Sequence, residues 1–357
     1  MTLLEQTLAG IRPVSADWIR AAEQQQLELT KPPGSLGRLE EIANRLSGMW
    51  ESFSFTAAHP RIVLFAADHG VCAEGVSPYP QVVTGQMVLN FLRGGAAINA
   101  LARAGGIELK VVDVGVAAAL PVSSELIGRK VAPGTRNFCL EPAMTAAEMQ
   151  EALTVGIEMA RDASTAGCDL LGFGEMGIGN TTAATAIAAA LTGQPVEAVV
   201  GRGAGADEDC LARKISAVRR ALALHAPHLA GPLDVLQRVG GLEIAAMCGF
   251  CLGAAAQRRP VVSDGFIATA AAALAVRLEP AVAGYLFAGH RSVEPGHQPL
   301  MAILGQAPLL DLGMRLGEGT GGAIAMKIIQ AAVAAFTGMA TFSSAGVSGA
   351  EVPVHSA

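Results

Sequence analysis

The alternation of short apolar runs with alanine- and leucine-rich stretches constrains the fold of this chain more than any other feature. Six short runs each end in a small or polar turn: 61–67, 109–112, 169–173, 196–200, 260–263 and 285–288. The runs are mostly continuous rather than alternating in polarity, which is typical of strands buried on both faces. The stretches between them show helical spacing, as at 183–191, 211–224 and 269–278.

Strands that alternate with helices predict an α/β fold, in which a parallel sheet carries helices on both faces in a Rossmann-like arrangement. Ligands of such sheets bind beyond the carboxyl ends of the strands. The Asp- and Gly-containing turns that follow the apolar runs are therefore candidate site positions.

The two ends of the chain differ from its middle. We expect polar helices at 17–26 and 36–49 and one long alanine-rich helix at 320–341. The sequence therefore predicts a large α/β catalytic domain over 51–319 and a small helical domain that combines 1–50 with 320–357. The tail, 342–357, is small and polar, and we expect it to be ordered only in part.

Composition and charge exclude several classes of protein. Apolar residues make up 51% of the chain, which is too many for a disordered protein. A net charge of −6 has the wrong sign for a protein that binds nucleic acid through its phosphates. No stretch supplies the roughly 20 apolar residues of a membrane span, and the N-terminus resembles no secretory signal. We expect a cytoplasmic protein without a membrane span.

Cysteine and histidine spacing gives little support for a metal site. Cys248 and Cys251 form a single Cys-x-x-Cys pair inside an apolar stretch, and we expect both to pack in the core. His290 and His297 are separated by Pro295, which rules out a helical zinc motif of the His-Glu-x-x-His type. We expect no metal.

The segment 172–182, GFGEMGIGNTT, follows a predicted strand and precedes a predicted helix. Its glycines match Gly-x-Gly-x-x-Gly, a pattern that lets backbone N–H groups approach a phosphate. Glu175 is unusual in such a loop, because a pyrophosphate would lie close to it. A second glycine loop at 201–205 favours a ligand site, while a tight turn without a ligand stays the alternative.

Glu318 stands between Gly317 and Gly319, so no bulky neighbour shields its carboxylate from a ligand. In a partly apolar pocket its pKa would rise, and it would suit the role of a proton acceptor. The alternative is a surface glutamate that interacts with a helix N-terminus.

Several further side chains have two interpretations. His69 follows a predicted strand, where it is either a ligand-binding residue or a histidine satisfied within the fold. Tyr79 lies in a proline-rich turn and could form an apolar wall with a polar tip. Lys214, Arg291 and Ser292 are either anion ligands or solvated surface residues.

Eight longer segments occur in a fixed order along the chain: KPPGSLGRLE (31–40), DHGV (68–71), VSPYPQ (76–81), GEMGIGNTT (174–182), VGRGAG (200–205), SDGF (263–266), GHRSVEPGH (289–297) and LGMRLGEGTG (312–321). Together they resemble the family of nicotinate-nucleotide–dimethylbenzimidazole phosphoribosyltransferases. The resemblance spans residues 31 to about 325 and implies a homodimer with an α/β domain and a small helical domain.

The resemblance also implies a reaction, in which nicotinate mononucleotide and 5,6-dimethylbenzimidazole give α-ribazole 5′-phosphate and nicotinate with inversion at the anomeric carbon. The pyridinium leaving group departs neutral at its ring nitrogen, so neither a metal nor another cofactor is expected. The attacking benzimidazole must lose a proton, and the matching general base is Glu318. Glu175 is assigned to the ribose or to stabilising the charge that develops.

The remaining assignments concern the two halves of the substrate pocket. The candidates for an apolar pocket around the flat base are Tyr79, Met87, Met314 and Leu316. The candidates for the phosphoribosyl side are Gly174, Gly177, Asn180, Thr181, Gly203, Lys214, Asp264, Arg291 and Ser292. The chain departs from the pattern of many relatives at Val83, Met87 and Gly322, so base preference is the least determined property.

Two other functions are compatible with the glycine loops. An NAD(P)-dependent oxidoreductase would need an acidic or basic ribose selector at the end of the next strand, where Gly201 and Arg202 stand. A non-catalytic nucleotide-binding protein would not explain the carboxylate of Glu318 between two glycines.

Overall fold

The computed structural model describes residues 1–348. Within them, six strands form one sheet: β1 Pro60–Ala67, β2 Glu108–Gly115, β3 Leu126–Gly128, β4 Leu170–Met176, β5 Val261–Ser263 and β6 Leu286–Ala288. All neighbouring strands are parallel, and their order is β3-β2-β1-β4-β5-β6. The predicted α/β class with a parallel sheet is confirmed.

The strand order reverses between β1 and β4, which are hydrogen-bonded neighbours with Leu64 opposite Gly174. Connections on either side of such a point run over opposite faces of the sheet, so helices cover both faces and a crevice opens at the carboxyl ends of the two central strands. β1 ends at Ala67 and β4 at Met176, so the segments that follow these residues border the crevice.

Within residues 1–348, fifteen α-helices accompany the sheet: α1 Leu3–Gly10, α2 Ala16–Glu28, α3 Arg38–Trp50, α4 Val83–Leu92, α5 Ala97–Gly105, α6 Ala146–Thr165, α7 Asn180–Thr192, α8 Val196–Val199, α9 Glu208–His225, α10 Pro232–Val239, α11 Leu242–Ala256, α12 Phe266–Leu278, α13 His297–Leu304, α14 Thr320–Gly338 and α15 Phe342–Ala345. Short 3₁₀ turns lie at Gly70–Glu74, Ala226–His228 and Pro280–Gly284.

Glycine in β4 allows another segment to approach the sheet closely. A Cβ at Gly174 would overlap the backbone of Glu318, and one at Gly172 would reach the side chain of Met326. The sequence LLGFGEM therefore forms a strand whose small residues leave room for the segment that carries Glu318.

One predicted strand is wrong, and one strand was not predicted. Residues 196–200 form the short helix α8, in which the Val200 N–H donates to the Val196 carbonyl over 2.9 Å. Val196 and Val199 are buried, and so brief an apolar run does not distinguish a helical turn from a strand. The missed strand, β3, has three residues, none of them buried, so it lacks the apolar signal of the others.

The predicted packing role of Cys248 and Cys251 is confirmed. Both lie in α11, are fully buried and form no disulfide. Their surroundings are tightly packed, because a Cβ at Gly249 would overlap the Leu153 carbonyl of α6. Burial raises the pKa of the Cys248 thiol well above its usual value, which favours the neutral form.

The described contacts divide the chain into two compact units. The first comprises Met1–Pro13 and Ala58–Met326, and contains the whole sheet. The second comprises Val14–Ala57 and Lys327–Ala357, of which 349–357 lie outside the described residues. The predicted division into domains at 50 and 319 stays a prediction, and so does the partial order of the tail, most of which lies in 349–357.

The second unit has an aromatic core of its own. The ring of Phe55 stacks on Trp50, with centroids 5.4 Å apart, and on Phe336, with centroids 5.5 Å apart. The helices predicted at the two ends are present as α2, α3 and α14, with ends shifted by a few residues.

Among residues 1–348, α14 is the helix long and apolar enough to cross a membrane by length and composition, with a mean hydropathy of 1.3 over 18 residues. Half of that window is buried inside the protein. The core helix of a soluble protein meets the same criterion, so this is weak support for a membrane span.

Candidate active site

A cavity of about 650 Å³ opens at the carboxyl ends of β1 and β4, where the strand order reverses. It lies wholly within the first unit, and segments that follow β4, α8, β5 and β6 line it together with the loop that precedes α14. Ten of the predicted site residues line this cavity: Tyr79, Met87, Glu175, Gly177, Asn180, Thr181, Gly203, Ser292, Leu316 and Glu318.

Five predicted site residues do not line the cavity: Gly174, Lys214, Asp264, Arg291 and Met314. Gly174 lies beneath the backbone of Glu318, as described above. Arg291 is exposed and faces Asp311 at 3.5 Å. Met314 is half-buried in the loop before α14.

Lys214 supports the two glycine loops from behind the cavity. Its Nζ donates to Thr181 Oγ1 over 2.8 Å and to the Gly201 carbonyl over 3.0 Å. Burial lowers the pKa of Lys214 to about 8, and the nearby Glu294 carboxylate opposes that shift. The side chain therefore links the start of α7 to the loop after α8.

Asp264 caps the start of α14 rather than facing a ligand. Its carboxylate accepts backbone hydrogen bonds from Gly319 over 3.0 Å, Gly321 over 2.7 Å and Gly322 over 3.1 Å. A carboxylate at a helix N-terminus is favoured by the unpaired N–H groups and the helix dipole. Because Gly319 follows Glu318, this cap also holds the candidate base in place.

The backbone at Glu318 has an unusual conformation. Gly317, Glu318 and Gly319 have φ values of 89°, 64° and 88°, so three successive residues are left-handed. Glycine adopts this region without strain, whereas a glutamate pays a steric penalty there. Strain of this kind concentrates at functional sites, where the surrounding structure maintains it.

The Glu318 carboxylate is buried, and its contacts leave acceptor capacity available. Its Oε2 accepts a long hydrogen bond of 3.4 Å from the Ile98 backbone N–H. Burial raises the pKa of Glu318, and the charge of Asp264 raises it further, while the Ile98 N–H opposes the shift. A carboxylate whose pKa is raised in this way is a stronger proton acceptor.

Glu175 lies at the end of β4 and is already bound by protein donors. Its carboxylate accepts a hydrogen bond from the Asn180 side-chain amide, and the Glu318 backbone N–H lies close enough to lower its pKa. Burial raises the pKa of Glu175 to about 8, with further contributions from the charges of Glu243 and Asp264. Glu175 therefore lies beside the backbone of Gly317 and Glu318.

The absence of a side chain at Gly317 allows the backbone there to approach Glu175. A Cβ there would overlap Oε1 of Glu175, so the close approach requires glycine in addition to the positive φ. Glycine at 317 therefore determines how near the Glu318 peptide lies to Glu175.

An apolar wall lines another part of the cavity. It includes Met87 and Val83 from α4, and Phe266 and Ile267 from the start of α12. Leu316 and Tyr79 are 58% and 50% exposed although they line the cavity. Exposed apolar side chains at a cavity fit a flat apolar ligand.

Two charged residues that line the cavity, Arg315 and Glu294, have no role predicted from the sequence. Arg315 donates to the Gly203 carbonyl over 3.2 Å. Glu294 accepts from the Gly203 N–H over 2.9 Å. Both lie within the eight sequence segments that resemble the family, and their charge could have marked them as candidate site residues.

His69 is satisfied within the fold. Its Nε2 lies 2.6 Å from Oε1 of Glu243, and both residues are fully buried. The ring packs beneath Gly177, since a Cβ there would lie 3.3 Å from it. Of the two interpretations, the structure favours the histidine that packs at a strand end.

The dinucleotide interpretation loses its structural basis. Residues 196–200 are not a strand, so no ribose selector follows one there. Glu197 is instead paired with Arg219 at 2.6 Å. Within the part of the chain that is described, three or more His, Cys, Asp or Glu side chains nowhere come together as a potential metal site.

Comparisons with known proteins agree with this architecture. The phosphoribosyltransferase family model matches residues 11–347. The nicotinate-nucleotide–dimethylbenzimidazole phosphoribosyltransferase of Chloroflexus aggregans is 54% identical over 348 residues, covering 98% of this chain and 99% of that protein. The enzyme of the same name from Geobacter sulfurreducens is 52% identical, covering 97% and 99%.

A solved structure is also similar. The crystal structure of this phosphoribosyltransferase from Thermus thermophilus matches with a TM-score of 0.89 and 50% identity, covering 94% of this chain and 100% of that one. The chain therefore belongs to the phosphoribosyltransferase family that includes the nicotinate-nucleotide–dimethylbenzimidazole phosphoribosyltransferases.

Proposed function

We propose that this chain transfers the phosphoribosyl group of nicotinate mononucleotide to 5,6-dimethylbenzimidazole, giving α-ribazole 5′-phosphate and nicotinate. The relatives described above are named for this reaction. The observation that carries the proposal is the Glu318 carboxylate, which lines a cavity together with an apolar wall and has a raised pKa.

The chemistry needs one proton acceptor. One benzimidazole nitrogen forms a bond to the anomeric carbon, while the bond to the pyridinium nitrogen breaks and its electron pair goes to that nitrogen. The proton on the other benzimidazole nitrogen passes to Glu318. Nicotinate leaves without needing a proton at its ring nitrogen, and attack on the opposite face converts the β-linkage into an α-linkage.

Glu318 suits this step because it has one weak protein contact and is largely shielded from water. A proton acceptor that is already desolvated accepts a proton more readily than one held by several donors. Asp264 and Glu175 orient it through the backbone, and we assign Glu175 to that positioning task.

Two helix N-termini border the cavity, and we assign that of α7 to the phosphoribosyl side. The residues before α7 and α12 are Gly179 and Gly265, and neither helix has a side-chain cap. Asn180 and Thr181 from α7 and Phe266 from α12 line the cavity. Uncapped N–H groups at helix starts attract phosphate, and Ser292 adds a hydroxyl donor nearby.

The proposal also covers the oligomeric state and the cellular location of the protein. We propose a homodimer, because Val82 and Leu312 are exposed apolar side chains that lie three and four residues along the chain from the cavity-lining Tyr79 and Leu316. We propose a cytoplasmic location, because all six cysteines are free thiols, which that compartment keeps reduced.

The test is to incubate the purified chain with nicotinate mononucleotide and 5,6-dimethylbenzimidazole without added metal. We expect nicotinate and α-ribazole 5′-phosphate in equal amounts by chromatography, with the α-configuration in the proton NMR spectrum. A reaction without the benzimidazole is the control for hydrolysis. Absence of nicotinate release, or release independent of the benzimidazole, would contradict the proposed function.

A further inference from the structure

A third carboxylate lines the cavity besides Glu318 and Glu175. Glu294 follows β6 in the segment 289–296, and it is 8% exposed. Neither proton transfer nor the positioning of Glu318 uses it. A buried carboxylate is costly unless hydrogen bonds or charges compensate it, so its partners show what it is placed to do.

The structure gives the Glu294 carboxylate one hydrogen-bond donor and one nearby charge, that of Lys214. Its Oε1 accepts from the Gly203 N–H over 2.9 Å, and its Oε2 has no hydrogen-bond partner among residues 1–348. A carboxylate can accept about four hydrogen bonds, so the protein uses only part of the acceptor capacity of Glu294. Glu175, by comparison, accepts a hydrogen bond from the Asn180 amide and has the Glu318 N–H close to it.

The side chain is also held in place before any ligand binds. A Cβ at Gly201 would overlap Oε2 of Glu294, so glycine at that position leaves room for the carboxylate. The Glu294 backbone N–H donates to Ser292 Oγ over 3.3 Å, and its carbonyl accepts from the His297 N–H over 3.0 Å. Binding therefore needs little further ordering of this residue.

The chemistry of the substrate indicates what Glu294 binds. A carboxylate only accepts hydrogen bonds, so it repels the phosphate and the nicotinate carboxylate. The O–H donors of ionised nicotinate mononucleotide are the ribose hydroxyls. Gly203 and Ser292 lie on the proposed phosphoribosyl side, so Glu294 lies where the ribose would be.

We propose that Glu294 accepts hydrogen bonds from the ribose hydroxyls of nicotinate mononucleotide and thereby positions the sugar for attack. This inference rests on the proposed function, and it transfers the ribose role from Glu175 to Glu294. The three carboxylates then have separate tasks: Glu318 takes the proton, Glu175 holds the Glu318 backbone and Glu294 orients the sugar.

The test is a double-mutant cycle between the side chain and the substrate. Glu294→Gln keeps one oxygen for the Gly203 N–H and replaces the other with a donor. We expect kcat/KM for nicotinate mononucleotide to fall about tenfold or more, because a hydrogen bond to a charged group is lost. Removing the hydroxyl that Glu294 binds, in 2′-deoxy or 3′-deoxy substrate, should cost the wild type about tenfold but the variant less than about twofold.

The control is Glu197→Gln, which changes a glutamate that is paired with Arg219 and does not line the cavity. In Glu197→Gln, the loss of kcat/KM with the 2′-deoxy and 3′-deoxy substrates should equal the loss in the wild type. Glu294→Gln should also unfold at the wild-type temperature, which separates a contact with the sugar from damage to the Gly203 loop.

The outcomes distinguish this inference from the proposed function. If the wild type releases no nicotinate, the proposed function fails and this inference fails with it. If the wild type is active but both deoxy substrates lose the same factor in Glu294→Gln as in the wild type, Glu294 does not bind the ribose. Wild-type kinetics of Glu294→Gln would overturn the inference in the same way.

Discussion

Two segments each bring a glutamate to the cavity, and the two glutamates differ in what surrounds them. Glu175 lies at the end of β4, where the sheet ladder, a hydrogen bond from Asn180 and the nearby Glu318 N–H hold it. Glu318 lies in a left-handed loop between two glycines, with one weak hydrogen bond to its side chain. Glu175 Oε1 lies against the backbone of Gly317, so the two segments are in close contact.

This difference shows how one cavity holds two buried acids for different purposes. A carboxylate whose lone pairs are occupied by protein donors holds structure, while one with free lone pairs is available for a proton in transit. Burial raises the pKa of both, so the pKa alone would not separate their roles. Their hydrogen-bond partners do.

The largest expected effect comes from removing the free carboxylate. Glu318→Ala and Glu318→Gln should each lower kcat by about 10²-fold or more, because the benzimidazole then has no proton acceptor. The measurement is the rate of nicotinate release at saturating substrates. A rate within about tenfold of the wild type for both variants would mean that Glu318 is not the base.

A smaller effect on activity is expected from a change at Gly317, where the segment that carries Glu318 contacts Glu175. Gly317→Ala should lower kcat about tenfold and destabilise the fold by about 1–3 kcal/mol, because its Cβ overlaps Glu175 and its φ is 89°. Gly313→Ala is the matched control, since its φ is 64° but its Cβ would meet nothing within 4 Å. Gly313→Ala should lose stability while keeping its activity. Equal activity of the two variants would mean that the close approach of Gly317 to Glu175 is not needed for catalysis.

The smallest effect on activity is expected at Glu175. Its pKa of about 8 keeps it mostly protonated at pH 7, so Glu175→Gln, which has a similar shape, should stay within about threefold of the wild-type rate. The variant should differ in how its stability depends on pH.

The direction of this pH dependence follows from the raised pKa. Between the ordinary glutamate pKa of 4.5 and the folded value of about 8, the folded state holds a proton that the unfolded state has lost. Stability from this group is thus complete at low pH and is lost as pH rises toward 8, by up to about 1.4 kcal/mol per pH unit. Urea unfolding of the wild type and Glu175→Gln at pH 5, 6, 7 and 8 measures it; parallel curves would contradict the raised pKa.

The strand and helix alternation predicted most of the fold, because buried parallel strands carry a strong apolar signal. Five of the six predicted runs are strands of one parallel sheet. The pattern failed at 196–200, where four apolar residues and one glutamate fit a helical turn equally well. It also missed β3, because that strand has no buried residue.

Residues that line the cavity were predictable where the residue type itself suggests binding. Residues whose role depends on tertiary contacts were harder to predict. Ten assigned residues line the cavity. The sequence does not show that Asp264 caps α14 or that Lys214 is buried behind the loops, because both depend on contacts between distant segments. Glu294 received no role because its partner, Gly203, lies 91 residues away in the chain.

The left-handed conformation of Glu318 has a consequence for selection on heat resistance. Glycine would relieve the backbone strain at this position, by roughly 1 kcal/mol, so random mutagenesis followed by selection for thermal tolerance alone would favour a glycine there. The enrichment would yield hardier but inactive protein. Only selection that also requires turnover would retain the glutamate. At position 318 the requirements of thermal stability and of catalysis are therefore opposed.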